Sequence, residues 1–276
     1  MRRMTKTVGV LLTLILVVAT SVSVQENCRR VLVDGLGINA CVSGEGPGTV
    51  VLAAGAGQTS GTWSRLVPEL SMTARVITFD RPGLGQSDPG LEPRTPTRIA
   101  SELRRLLQTL GIDGSVVLVG HSMGGLHVLR YASLFPDGVL GVAILDTPPA
   151  RFEEARRSLL TAEERMERES LLEDGGSRGP LVVRQERQGA EGAKEWDFST
   201  FPREVPLIVL VADTQNFGDL GSAVAHRELW ISRSRQWVEL SGDAEFLVAE
   251  GSGHMIHHDR RDLTVEVIQR LLRRGR

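Results

Sequence analysis

The run Val116-Val117-Leu118-Val119 passes directly into Gly120-His121-Ser122-Met123-Gly124-Gly125, and a helical pattern then continues to Phe135, stopped by Pro136. Few folds accommodate that order. A strand apolar on both faces is a buried strand, and here it must turn sharply into a helix. Glycines flank Ser122 where side chains would collide in such a turn. The turn pushes the Ser122 hydroxyl outward, and the helix behind it offers free N–H groups and a positive dipole end.

The same alternation recurs along the chain. Val50 to Ala54 and Arg75 to Asp80 read as strands. Thr62 to Leu70 reads as helical, and Thr97 to Leu110 carries apolar residues at a helical period before Gly111. Val142 to Leu145, Leu207 to Val211 and Glu245 to Ala249 are further strands, and Asp262 to Leu272 is a closing amphipathic helix. The fold class that follows is α/β, a mostly parallel central sheet with helices on both faces. Ala56, Ser122, Asp146, Asp213 and His254 all follow apolar strands, so they fall on the carboxyl edge of the sheet, where ligands of such sheets bind. Residues 148–205 interrupt the alternation and are too long for an ordinary connection. They read as a helical lid insertion. Glu153 to Leu172 is its helical part, Asp174-Gly175-Gly176-Ser177 and Gly189-Ala190-Glu191-Gly192 are its turns, and Trp196, Phe198 and Phe201 give it something to bury.

Residues 1–24 read as a signal peptide or signal anchor: a basic start, an apolar run from Val8, then the small residues Thr20 to Ser23. Cleavage would give a secreted or extracytoplasmic protein, and retention would anchor it to a membrane by its N-terminus. Residues 28–276 then form one domain. It opens on a hairpin, since Asp34-Gly35 between apolar runs suits a two-residue turn. Counting outward from that turn sets Cys28 opposite Cys41, the only two cysteines. An exported chain would allow a structural disulfide between them, and two free thiols are the alternative. The net charge of −2, with acids and bases interspersed, gives no expectation of a nucleic-acid partner.

Ser122 needs a base to act as a nucleophile. His254, in Gly251-Ser252-Gly253-His254 after the last strand, can reach back over the turn. His121 adjoins Ser122 but points elsewhere, and His226 falls in a helix. His257 and His258 lack a ligand set at zinc spacing, so no metal is expected. The group that orients His254 is open among Asp146, Asp213 and Asp219, each of which lies after a strand.

Together these segments resemble the α/β-hydrolase fold family, over about Val31 to Leu272. Asp80-Arg81-Pro82-Gly83-Leu84-Gly85-Gln86-Ser87 is similar to the family's Asp-x-x-Gly-x-Gly-x-Ser loop, Gly120 to Gly125 to its nucleophile elbow, and Gly253-His254 to its base loop. The resemblance implies backbone N–H groups of Ala56 and Met123 as the oxyanion hole, although Ala54-Gly55 replaces the family's His-Gly. It places Gln215 where the acid commonly stands and implies Asp146, the position some members use instead. Asp80 and Arg81 are implied as scaffolding of their loop.

The expected function is that of an exported serine hydrolase, cleaving a carboxylic ester or related acyl bond of a small molecule through an acyl-enzyme, with no cofactor. A non-catalytic receptor on the same fold, or an amidase or acyltransferase with the same triad, are the alternatives.

Overall fold

The computed structural model describes residues 27–112, 114–178, 180–191 and 198–274. The expected signal segment 1–24 and Trp196 lie outside them. Strands β1 (Asn27–Val33) and β2 (Leu36–Ser43) form an antiparallel hairpin with Val33 opposite Leu36 and Cys28 opposite Cys41. Asp34 and Gly35 both have positive φ, 50° and 82°, as a two-residue hairpin turn requires. A disulfide joins Cys28 and Cys41.

The remaining strands are β3 (Gly48–Ala53), β4 (Ala74–Phe79), β5 (Val116–His121), β6 (Val139–Leu145), β7 (Leu207–Ala212) and β8 (Ala244–Ala249). They complete an eight-stranded sheet in the order β1-β2-β4-β3-β5-β6-β7-β8. β2 pairs antiparallel with β4, and every pairing from β4 to β8 is parallel.

Alternation along each strand feeds two cores. Val51, Leu118, Ile144 and Val209 face one side, where helices α2 (Pro96–Thr109) and α3 (Met123–Leu134) cover them with Leu103, Leu106, Leu126 and Leu129. Val50, Leu52, Val117, Val119 and Leu145 face the other. That side is covered by Trp63, by Leu70 of the short helix α1 (Val67–Leu70), and by Ile268 and Leu271 of the last helix (Arg261–Arg274). Each fully buried side chain of this kind contributes about 1.5–3 kcal/mol. The sequence also caps α2: Pro96 occupies its first turn and the Thr95 hydroxyl accepts from the Arg98 N–H at 3.2 Å.

Among the described residues between β6 and β7 lie the helices α4 (Phe152–Arg156), α5 (Ala162–Arg178) and α6 (Leu181–Glu191). Two turns expected here are helical instead. Asp174 to Ser177 lies inside α5, and Gly189 to Glu191 inside α6. α5 starts on a reciprocal capping box, with Thr161 N–H donating to Glu164 Oε2 at 2.8 Å and Glu164 N–H to Thr161 Oγ1 at 3.2 Å. Two interior glycines cost roughly 1–2 kcal/mol, which does not stop a helix so begun. Gly189 has a packing reason, since a Cβ there would lie 2.2 Å from the Arg94 carbonyl oxygen. Phe198 and Phe201 are buried in the first core. After β7 come α7 (Ala223–Ser234), then, beyond β8, α8 (Ile256–Asp259) and the closing helix, α9. Among the described residues no helix is long and apolar enough to cross a membrane.

Candidate active site

Ser122 stands between β5 and α3 with φ 52° and ψ −126°, a conformation uncommon for any residue but glycine. Backbone hydrogen bonds on both sides hold it there. The Ser122 N–H donates to the Leu145 carbonyl at 2.8 Å, and the Gly125 N–H to the Ser122 carbonyl at 2.9 Å. Two residues away on either side glycine is required: a Cβ on Gly124 would fall 2.2 Å from the Ala53 carbonyl oxygen, and one on Gly120 2.4 Å from that of Gly124. Met123 begins α3, so its N–H has no partner within the helix.

Ala56 lies in the turn after β3. The Gln58 N–H closes that turn on the Gly55 carbonyl at 3.2 Å, and Gly57 takes φ 68°. The turn's own bond leaves the Ala56 N–H uncommitted. Gly55 presses against the elbow, since a Cβ on it would sit 3.2 Å from Ser122 Cβ. The segments carrying Ala56 and Met123 therefore flank Ser122.

His254 follows β8 on the same edge. Its Nδ1 donates to Asp146 Oδ2 at 2.6 Å. Asp146 follows β6, is fully buried, and has φ 46°. Its other oxygen accepts from the Trp230 Nε1–H at 2.7 Å and the Ala212 N–H at 3.0 Å. A carboxylate so placed fixes the ring's tautomer and leaves Nε2 free to take a proton. Asp213 does not reach the ring. It accepts from the Gly251 N–H at 3.2 Å, which pins the loop that carries His254. Asp219 is exposed, and the buried Gln215 Oε1 has no partner among the described residues.

The other histidines support this arrangement. His121 is fully buried, and its Nε2 donates to the His254 backbone carbonyl at 2.8 Å. Burial, and then the nearby His254, push its pKa down to about 3, so it is neutral. His257 and His258 hold Thr62, through its hydroxyl at 3.0 Å and its carbonyl at 2.8 Å. Asp80 organises its loop by accepting from the Ser60 and Gln86 N–H groups at 2.7 and 3.0 Å and from Asn39 at 3.0 Å. Burial raises its pKa, but those hydrogen bonds outweigh it and leave the carboxyl below its usual value.

Sequence reasoning passed over Trp230 as a donor to Asp146, the His121 contact with the base loop, and Glu186 of α6, which pairs with Arg81 at 2.8 Å. Each depends on packing between distant segments. Only the position of Arg81 inside the Asp80 loop could have drawn notice.

A family model described as the alpha/beta hydrolase fold matches residues 48–174. The chain has the α/β-hydrolase fold. Among curated relatives of this α/β-hydrolase-fold chain, the uncharacterized Bacillus subtilis protein YqjL is 26% identical over 76% of the chain and 78% of its own length. A fluoroacetate dehalogenase from a Burkholderia species is 36% identical over 50% of the chain and 47% of its own length. Of solved structures, the enol-lactonase from Burkholderia xenovorans LB400 superposes with a TM-score of 0.66 at 19% identity, covering 88% of this chain and 99% of that one. At that identity the likeness is one of fold.

Proposed function

We propose that this chain is a serine hydrolase that cleaves a carboxylic ester or related acyl bond through an acyl-enzyme. The observation that carries the reading is the 2.6 Å bond from His254 to the buried Asp146, on the sheet edge where Ser122 stands. In this reading Ser122 Oγ attacks the acyl carbon as His254 Nε2 takes its proton. Asp146 holds the imidazolium, and the Ala56 and Met123 N–H groups receive the oxyanion. His254 returns the proton to the leaving alkoxide, and a water activated by the same ring releases the acid. Hydrolase chemistry of the α/β-hydrolase type is supported by the named relatives and neighbours, among them the dehalogenase and the enol-lactonase. The paired cysteines suit an extracytoplasmic location for the mature chain.

The test is active-site labelling by a fluorophosphonate together with turnover of p-nitrophenyl esters. Wild type should label at Ser122, and Asp146→Asn should lose about 10⁴ in kcat, as in the analogous protease change. Asp213→Asn should keep most of the activity. Wild-type kcat in Asp146→Asn would overturn the acid. Failure of folded wild type to label or turn over any ester would favour a non-catalytic receptor.

A further inference from the structure

Arg81 is almost fully buried, 1% exposed, and so is its partner Glu186 on lid helix α6. The pair is bidentate: Arg81 Nε donates to Glu186 Oε1 at 2.8 Å and Nη2 to Oε2 at 3.0 Å. The guanidinium makes two further bonds, from Nη1 to the Ala54 carbonyl at 2.6 Å and from Nη2 to the Gly55 carbonyl at 2.9 Å. Those carbonyls belong to the turn that leads into Ala56.

The Gly55 carbonyl and the Ala56 N–H are two ends of one planar trans peptide group, so they point in opposite directions. A donor that fixes that carbonyl also fixes the direction of the N–H. It polarises the peptide as well, which strengthens the N–H as a donor. The preceding peptide is held twice, by Arg81 at the Ala54 carbonyl and by Gln58 Oε1 at the Gly55 N–H, 3.0 Å. α6 also touches this turn through apolar contact. Val182 and Val183 cluster with Leu84, and Ala56 packs against them. The family's usual His-Gly is absent here, so its histidine side chain is not what shapes the turn.

We propose that Arg81 and Glu186 are positioning residues for the oxyanion hole. Glu186 of the lid holds Arg81, and Arg81 aims the Ala56 N–H at the reacting carbonyl. This rests on the reading of Ala56 as an oxyanion donor for Ser122. It makes α6 more than a cover, because a lid displaced from the sheet would also release the donor. Productive geometry is then available only with the lid seated.

Removing one partner alone would strand a buried charge, so the informative variant replaces both, as Arg81→Leu with Glu186→Leu. The readouts are the melting temperature, kcat and KM on a p-nitrophenyl ester, and inhibition by a boronic acid, whose adduct on Ser122 mimics the tetrahedral intermediate. The folded double variant should lose about 10²-fold in kcat, the scale of one oxyanion donor, with KM little changed. The boronate inhibition constant should rise by a similar factor. A purely structural pair predicts a change in melting temperature and none in the kcat-to-KM split. Arg81→Lys keeps the charge beside Glu186 but cannot span the carboxylate and both carbonyls, and it should show the same split if the double variant does not fold. Wild-type kcat and boronate affinity in either folded variant would overturn the proposal. Absence of ester turnover and of fluorophosphonate labelling in wild type would instead remove the serine-hydrolase reading, and this proposal with it.

Discussion

Mild acid should unfold this protein before its carboxylates protonate. His121, His127 and His257 are buried, and burial first, then neighbouring imidazoles or Arg81, push their pKa values down to about 3, about 3 and about 2. An unfolded histidine titrates near 6.5. The folded value lies below the unfolded one, so the unfolded chain binds more protons as pH falls. Stability is therefore complete above about pH 6.5 and declines below it. Between about pH 7.5 and pH 5.0 each of the three forfeits roughly 2 kcal/mol, about 6 kcal/mol together. That rivals the whole stability of an ordinary domain, about 5–15 kcal/mol. His226 acts in the same direction, by burial and then by Arg156. Asp80 and Glu186 sit below their usual values despite burial, through hydrogen bonds to Asp80 and the Arg81 charge at Glu186. Their stabilisation is lost only as pH falls below the ordinary carboxylate range, outside this window. Urea unfolding followed by tryptophan fluorescence at several pH values measures the effect. His127→Gln should remove about a third of the pH-dependent part. An unfolding free energy that changes by less than about 2 kcal/mol over the window would refute the reasoning.

Three further outcomes follow from single contacts. Trp230→Phe removes the donor to Asp146 and should destabilise by about 1.5–3 kcal/mol in thermal melts, while lowering kcat more than it raises KM. Replacing Cys28 and Cys41 by serine should cost about 3 kcal/mol, the loop-closure value for a separation of 13 residues, with little change in kcat. Gly124→Ala should abolish soluble expression, because the added methyl would meet the Ala53 carbonyl at 2.2 Å; soluble, active protein would show that the elbow can yield.

The central strands were legible because they are apolar on both faces, a pattern set by burial alone. The hairpin was legible because Asp34-Gly35 dictates its turn, and the turn fixes the register down to Cys28 and Cys41. Ser122 and His254 announce themselves through the glycines that their turns require. Asp146 was harder, since three aspartates follow suitable strands and only assembly of the sheet brings one of them to the ring. The α5 glycines misled because a well-capped helix absorbs a local penalty that reads, in isolation, as a stop. The Arg81–Glu186 pair was hidden for a different reason: its members lie far apart in the chain, and no local pattern links them.

The backbone at Ser122 and Asp146, with φ of 52° and 46°, has a consequence for how such a chain ages in evolution. Each left-handed residue of this kind stores about 1–3 kcal/mol that glycine would relieve. At Ser122 glycine would relieve that cost with little to oppose it, whereas at Asp146 it would strand the Trp230 Nε1–H and the Ala212 N–H in the core. A serine kept at this elbow is therefore held against a thermodynamic incentive toward glycine, which the proposed chemistry would account for.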